Sequence, residues 1–189
     1  MKNIPLLTQR FEQALLYAAR LHSQQVRKGS GIPYMSHLLS VAALVLEMGG
    51  DEDQAIAALL HDAIEDQGGL ETREVIRTHF GDDVVALVEG CTDSYTIPKK
   101  PWRERKQQYL EHLKTASPEV RRISLADKLH NARSILMDVE SLGNKVWEKF
   151  QGGREGSLWY YHSLLTIFEQ QPNHWTKELG RILSHLENV

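Results

Sequence analysis

The segment from Ala58 to Asp66, ALLHDAIED, combines an apolar run with one histidine and three carboxylates. In a helix, His61 and Glu65 lie one turn apart on the same side, and so do Asp62 and Asp66. Burial of an ionised carboxylate is costly unless the group is paired or binds a metal ion. Because the neighbouring residues are aliphatic, the pattern predicts a divalent cation as the shared partner. Histidine together with carboxylate suits Mn, Fe or Zn better than Mg or Ca.

Two further polar residues interrupt apolar helical stripes and complete a candidate ligand set. His37 lies at helical spacing with Val41, and Asp127 lies at helical spacing with Ile123. The predicted metal ligands, from three helices, are His37, His61, Asp62 and Asp127. Such a set leaves room for water and substrate oxygens around the ion. For His37 taken alone, a buried core histidine is an equal alternative, and Asp127 could instead be a salt-bridged core acid.

The other seven histidines stand alone in the sequence, without a neighbouring ligand pattern. A lone histidine on an apolar helix face is usually a core residue whose ring nitrogens have protein partners. We therefore interpret these residues as core histidines: His22, His79, His112, His130, His162, His174 and His185.

Helical periodicity dominates the chain, and no alternation typical of a β-strand is convincing. Thr8, Asp51 and Ser117 each precede a helical stretch and are predicted to be N-cap residues. The stretch from Asp51 to Gly68 is apolar nearly all round, so it predicts one continuous helix in the middle of the fold. The expected fold is all-α, with about eight to ten helices.

Composition predicts one soluble domain over residues 1–189, with 41% hydrophobic and 25% charged residues. The net charge of −3 argues against general nucleic-acid binding. The first residues lack the apolar core of a signal peptide, and no apolar run reaches the length of a membrane span. A single cysteine, Cys91, excludes an intrachain disulfide. We therefore expect a cytoplasmic protein without a membrane partner, whose oligomeric state the sequence leaves open.

Four segments follow one another along most of the chain: RKGSGIPYMSH, AALLHDAIED, HFGDDVVALVEGCTD and ISLADKLHNAR. In this order they resemble the HD phosphohydrolase superfamily. The resemblance is narrower to the alarmone hydrolase domain of the Rel/Spo enzymes and to the hydrolase-only small alarmone hydrolases. It implies an HD-domain helical bundle that forms a single domain over residues 1–189.

The resemblance also implies a reaction and a set of site residues. Mn²⁺ would bind to the four predicted ligands, and Glu65 and Asp66 would orient or deprotonate the attacking water. The family reaction removes pyrophosphate from the 3′ position of (p)ppGpp. The implied contacts with this small-molecule nucleotide are Arg27, Lys28, Asn131 and Tyr160. Lys99 and Arg105 belong to a basic segment that could close over the phosphates, although such a segment is usually a solvated face.

The chain departs from the family pattern close to the expected nucleotide pocket. Four residues separate the Arg27–Lys28 pair from Pro33, where the family typically has three. Adenine-based (p)ppApp is therefore an alternative to (p)ppGpp as substrate. Two other functions stay open: an HD phosphatase acting on a dNTP or NADPH, and a non-catalytic nucleotide-binding HD module. The intact Glu65–Asp66 pair argues against the non-catalytic module.

Overall fold

A computed structural model describes residues 6–93 and 100–189, which form ten α-helices and one 3-10 helix. These residues contain no β-strand, and their one isolated β-bridge pairs Val26 with Pro33. The predicted all-α class and the predicted range of helix number are confirmed. Within the described ranges, every helix is too short or too polar to cross a membrane.

The chain divides into two compact units, and the division falls inside one helix, between Ala126 and Asp127. The complete helices of the first unit are α1 Gln9–Leu21, α2 Met35–Glu47, α3 Glu52–Leu60, α4 Ala63–Asp66, α5 Gly69–Phe80 and α6 Asp82–Cys91. The second unit contains α7 Trp102–Thr115, a 3-10 helix over Gly143–Lys149, α9 Gly153–Phe168 and α10 His174–Asn188. Helix α8, Pro118–Leu142, contributes its first part to the first unit and the remainder to the second.

Helix α3 forms the centre of the first unit. It contacts α1, α2 and α6, and every residue from Gln54 to Leu60 is buried. The helix begins where the sequence predicts, because the Asp51 side chain accepts a hydrogen bond from the Gln54 N–H at 3.0 Å. The Thr8 hydroxyl caps α1 in the same way. The absence of polar residues from Ala55 to Leu60 thus follows from packing on several sides.

The continuous central helix predicted from Asp51 to Gly68 is wrong, because α3 ends at Leu60 and α4 begins at Ala63. The His61 Nδ1 atom lies 2.8 Å from the Ala58 carbonyl oxygen. In an uninterrupted helix this carbonyl would accept the Asp62 N–H. The imidazole therefore binds the Ala58 carbonyl in place of the Asp62 N–H at the end of α3. Because His61 and Asp62 lie in a turn, their side chains are not held at the angle that separates successive residues of a helix.

In the second unit, α9 packs against α7, α10 and the 3-10 helix. A Cβ atom on Gly152 would lie 2.6 Å from the indole of Trp102, so the absence of a side chain there lets the ring approach the backbone. Helix α10 begins with a capping box in which the Asn173 side chain and the Thr176 hydroxyl bind each other's backbone N–H groups. These contacts fix the beginnings of α9 and α10.

Gly90 lets α6 approach α8 closely within the first unit. A Cβ atom there would lie 2.6 Å from Cγ2 of Val120, a β-branched side chain with little rotamer freedom. We expect Gly90→Ala to lower the free energy of unfolding by about 1–3 kcal/mol, the usual cost of overpacking. Urea denaturation followed by circular dichroism measures this change.

The matched control is Gly180→Ala, in the interior of α10. There the added methyl group would be 3.5 Å from Leu165, which is an ordinary contact. Alanine should therefore leave stability unchanged or raise it by up to about 1 kcal/mol, because it favours the helix. Equal destabilisation by both substitutions would contradict the argument from close packing.

Candidate metal centre

His37, His61 and Asp127 form a buried group in which three possible ligand atoms lie within 4.8 Å of one another. His37 comes from the first turn of α2, and His61 follows the last residue of α3. Asp127 lies on α8, directly after Ala126, which is the last residue of the first unit. The uninterrupted helix therefore determines the position of Asp127 in this group. The structure thus brings together three of the four predicted ligands, two from helices α2 and α8 and one from the turn after α3.

The tautomer of His61 suits metal binding. A carbonyl oxygen can only accept a hydrogen bond, so the His61 Nδ1 atom must donate to the Ala58 carbonyl. In the neutral imidazole the Nε2 atom then carries the lone pair. A backbone contact of this kind is the usual way in which proteins orient a ligating histidine. The rings of His37 and His61 meet edge to face, with centroids 5.1 Å apart.

Asp62 lies beside both histidines but outside the group of three. Its Oδ2 atom is 3.0 Å from His61 Nε2 and 3.7 Å from His37 Nε2. The same oxygen accepts a hydrogen bond of 2.6 Å from the Tyr34 hydroxyl. Asp62 is therefore placed to act as a fourth ligand, with Tyr34 fixing its carboxylate, and its ligand role stays a prediction.

Asp127 is 6% exposed and has two polar neighbours on its own helix. The Lys128 ammonium pairs with its Oδ2 atom at 2.5 Å, and the Asn131 amide donates to Oδ1. Burial by itself would lower the pKa of Lys128, but the charge of Asp127 and the nearby Tyr160 and Tyr109 raise this pKa well above its ordinary value. The pairing with Asp127 thus favours the charged form of Lys128 beside the group.

Glu65 and Asp66 form the last turn of the short helix α4, and each has a partner elsewhere in the first unit. The Glu65 carboxylate accepts the backbone N–H of Asp93 at 3.3 Å, and the Asp66 carboxylate accepts the Gln25 amide at 2.8 Å. Neither residue belongs to the group of possible metal ligands among the described residues. The predicted division between ligands and carboxylates that handle water stays a prediction, because Asp62 also lies outside this group.

Arg27 and Lys28 lie in the loop between α1 and α2. Backbone hydrogen bonds join Arg27 to Ile32 and to Gly31, which closes the loop on itself. The Arg27 guanidinium lies 5.7 Å from the centre of the Tyr34 ring, and Lys28 is exposed. Because Tyr34 also binds Asp62, one side chain connects the basic loop with the candidate metal ligands.

The other predicted nucleotide contacts lie in the second unit, except that Lys99 is outside the described residues. Asn131 donates its amide to Asp127. Arg105 donates to the Lys100 carbonyl at the beginning of α7. Tyr160 is 5% exposed, and its hydroxyl is buried without a hydrogen-bond partner in the described part of the chain. These observations place the residues, and their contacts with a nucleotide stay predictions.

Sequence reasoning missed several residues around the site. Tyr34 and Lys128 are adjacent to motif residues, but only the folded contacts indicate what they bind. Of the histidines interpreted as core residues, His22 is buried, whereas four are exposed, so the interpretation is wrong for His79, His112, His174 and His185. The exposed four lie on the outer faces of helices or at a helix end, where a periodic apolar stripe does not extend.

Comparison with known proteins agrees with this geometry. A protein family described as "HD domain" matches residues 14–158. The guanosine-3′,5′-bis(diphosphate) 3′-pyrophosphohydrolase MESH1 of Xenopus tropicalis is 43% identical over 126 residues, which cover 65% of this chain and 68% of that protein. The Homo sapiens protein of the same name is 40% identical with the same coverage.

A solved structure supports the same relationship over nearly the whole length. It is reported as a metazoan ortholog of SpoT that hydrolyses ppGpp and plays a role in starvation responses. The TM-score is 0.81 at 28% sequence identity, and the superposition covers 97% of this chain and 99% of the other. Since the family match spans well over half of the sequence and includes His37, His61, Asp62 and Asp127, the chain belongs to the HD domain family.

Proposed function

We propose that this protein is an alarmone hydrolase that removes pyrophosphate from the 3′ position of (p)ppGpp or (p)ppApp. The buried group of His37, His61 and Asp127 is the observation that carries the proposal, because it gives an HD-family chain a site for metal-dependent hydrolysis. The names of the relatives and of the similar structure support the same reaction. We further propose that residues 1–189 act as one cytoplasmic domain that takes part in the stringent response.

The donor set fits a divalent transition metal, and we propose Mn²⁺. Two imidazoles and two carboxylates suit Mn, Fe or Zn, and His61 presents its Nε2 lone pair. The residues that would hold the ion are His37, His61, Asp62 and Asp127. When bound, a divalent cation neutralises the negative charge that develops on the phosphate oxygens.

Glu65 and Asp66 are proposed to take the proton of the attacking water. The water oxygen bonds to the phosphorus nearest the ribose, and the bond between this phosphorus and the 3′ oxygen breaks. The 3′ oxygen leaves with the bonding electrons and receives a proton, so ppGpp and water give GDP and pyrophosphate. Both carboxylates are on α4, which begins directly after Asp62, and neither is part of the group.

The nucleotide is proposed to bind through cationic and polar side chains. Arg27 and Lys28 would meet its phosphates from the loop before α2. Asn131 would contact its sugar or phosphate, and Tyr160 would provide a further contact from α9. Lys99 and Arg105 would close over the phosphates, since lysine and arginine form strong charge-assisted hydrogen bonds with phosphate oxygens. We propose guanine as the preferred base. Adenine is the alternative, because the loop between Lys28 and Pro33 is longer than in the family pattern.

Product analysis tests the reaction directly. The purified protein, supplied with Mn²⁺, should release one pyrophosphate per turnover from ppGpp or ppApp and leave the 5′ phosphates in place. We expect no comparable turnover of dNTPs or NADPH, and chelation by EDTA should abolish the reaction. Anion-exchange chromatography of the nucleotide and phosphate products provides the measurement.

Three results of this assay would overturn the proposal. Orthophosphate as the sole phosphorus product would mean a different bond is cleaved. Inert alarmones with good turnover of dNTPs or NADPH would identify an HD phosphatase of another specificity. A protein that binds the nucleotides without cleaving any of them would be a non-catalytic module.

A further inference from the structure

We infer that Gln25 is a positioning residue that holds the Asp66 carboxylate in place, with His22 and Gln67 fixing the Gln25 amide. The inference rests on the proposed function, in which Asp66 takes part in handling water. It adds to that function a hydrogen-bonded chain that connects the end of α1 with the end of α4. All four residues belong to the first unit.

Three short contacts meet at the Gln25 side chain. Its Nε2 atom donates to Asp66 Oδ2 at 2.8 Å. Its Oε1 atom accepts from Gln67 Nε2 at 2.6 Å and lies 2.6 Å from His22 Nδ1. The amide thus binds a partner with each of its polar atoms, and the partners are 41 or 42 residues away in sequence on the α4 side.

The direction of each hydrogen bond follows from the chemistry of the groups. An ionised carboxylate only accepts, so the Gln25 NH₂ group must face Asp66. The Gln25 oxygen then faces His22, and a contact of 2.6 Å between two acceptors would be repulsive. His22 must therefore carry its proton on Nδ1. The chain of donors runs from His22 and Gln67 through Gln25 to Asp66.

The backbone of Gln25 is fixed as firmly as its side chain. Its N–H donates to the His22 carbonyl at 3.0 Å, and its carbonyl accepts from the Tyr34 N–H at 2.9 Å. At the other end, the Thr72 hydroxyl donates to the Gln67 carbonyl. The amide of Gln25 is consequently held between two anchored segments.

The environment of His22 indicates that its ring is present for this contact. The residue is 2% exposed, and its Nε2 atom is buried without a hydrogen-bond partner within residues 6–93 and 100–189. A buried polar atom without a partner costs stability. An apolar residue would avoid that cost, so the contact between Nδ1 and Gln25 offers the reason for a histidine. The ring also stacks on Tyr34, with centroids 5.5 Å apart.

Asp66 needs such support because it is exposed and lies at the end of a four-residue helix. An exposed aspartate samples several rotamers. Each rotamer that turns the carboxylate away from the water lowers the rate, since the reacting groups must be aligned. A misplacement of a reacting group by about 1 Å can lower the rate by up to about 100-fold.

The first test compares Gln25→Met with Gln24→Met. Methionine keeps the length of the side chain and removes its hydrogen bonds, and Gln24 is an exposed glutamine in the same turn. We expect Gln25→Met to lower kcat for alarmone hydrolysis about tenfold, with KM and metal content within about twofold of the parent protein. Gln24→Met should match the parent protein in all three quantities. An unchanged kcat in Gln25→Met would overturn the inference.

A double-mutant cycle separates positioning from a general effect on folding. In an Asp66→Ala background the carboxylate is absent, so Gln25→Met should cause no further loss of kcat. Losses that multiply would mean that Gln25 acts independently of Asp66, which overturns the inference. Full activity of Asp66→Ala itself would overturn both the role of Asp66 and the positioning role of Gln25.

The tautomer of His22 tests the chain of hydrogen bonds without any substrate. Spectra of protein labelled with ¹⁵N-histidine should show His22 protonated on Nδ1, with the signal assigned by its loss in His22→Phe. Gln25→Met should shift this Nδ1 signal, whereas Gln24→Met should not. An Nε2-protonated His22, or a signal indifferent to Gln25→Met, would overturn the inference. If the protein fails to cleave alarmones while these spectra are as expected, the proposed function fails and the hydrogen-bonded chain is retained.

Discussion

Asp127→Ala is expected to remove the tightly bound metal and to lower alarmone turnover to below about one hundredth of that of the parent protein. The carboxylate is one of three buried groups whose ligand atoms lie within 4.8 Å of one another. Without it, two histidines remain in the group, and the adjacent Lys128 ammonium loses its counter-ion. Metal content by mass spectrometry and turnover by product chromatography measure the two effects.

Asp138→Ala is a matched control on the same helix. Asp138 likewise pairs with a lysine, Lys149, but its carboxylate is partly exposed and lies outside the ligand group. We expect this variant to keep its metal and its turnover, with at most a small loss of stability. Full metal content and normal turnover in Asp127→Ala would exclude Asp127 as a ligand, and equal losses in both variants would indicate a general effect on the fold.

Glu65→Gln and Asp66→Asn are expected to keep the metal while kcat falls by roughly two orders of magnitude, the scale of general acid–base catalysis. Each substitution keeps the size of the side chain and removes its negative charge. The Glu65 carboxylate accepts the Asp93 N–H and the Asp66 carboxylate accepts the Gln25 amide, and neither residue belongs to the ligand group. Their loss should therefore affect the proton transfer and leave the ion in place.

The same chemical changes at remote sites provide the control for this pair. Glu71→Gln and Asp82→Asn alter exposed carboxylates at the beginning of α5 and α6. We expect both to have the turnover and metal content of the parent protein. If metal content instead falls in parallel with kcat in Glu65→Gln or Asp66→Asn, that residue is a ligand and its assignment to proton transfer is wrong.

The helix beginnings were predictable because their signals are local. The side chains of Thr8, Asp51 and Ser117 accept hydrogen bonds from N–H groups two or three residues later. The cap residue and the N–H group that it binds are only a few residues apart, so the sequence alone is enough to predict the contact. The grouping of His37, His61 and Asp127 was predictable for a different reason, since each interrupts an otherwise apolar helix face.

The interruption of the helix at His61–Asp62 could not be predicted from local signals, and neither could the hydrogen-bonded chain through Gln25. Every residue of ALLHDAIED is compatible with a helix, and the interruption involves Tyr34, 28 residues away, which binds Asp62. The contacts between Gln25 and the α4 segment likewise join distant polar residues that have no periodic pattern. Long-range hydrogen bonds leave no signature in a single sequence, so only the folded chain reveals them.

The shortness of α4 has a consequence for how related chains can diverge. A helix of four residues is too short to be stable by itself, because the conformational entropy lost in forming the first turn outweighs its one hydrogen bond. Its orientation is set by neighbours such as Gln25 and Thr72, whereas His61 belongs to the end of the buried helix α3. Substitutions in those neighbours are therefore expected to shift Glu65 and Asp66, the proposed water-handling carboxylates, more than they shift His61. Related chains could then differ in the bond that they cleave while this histidine keeps its position.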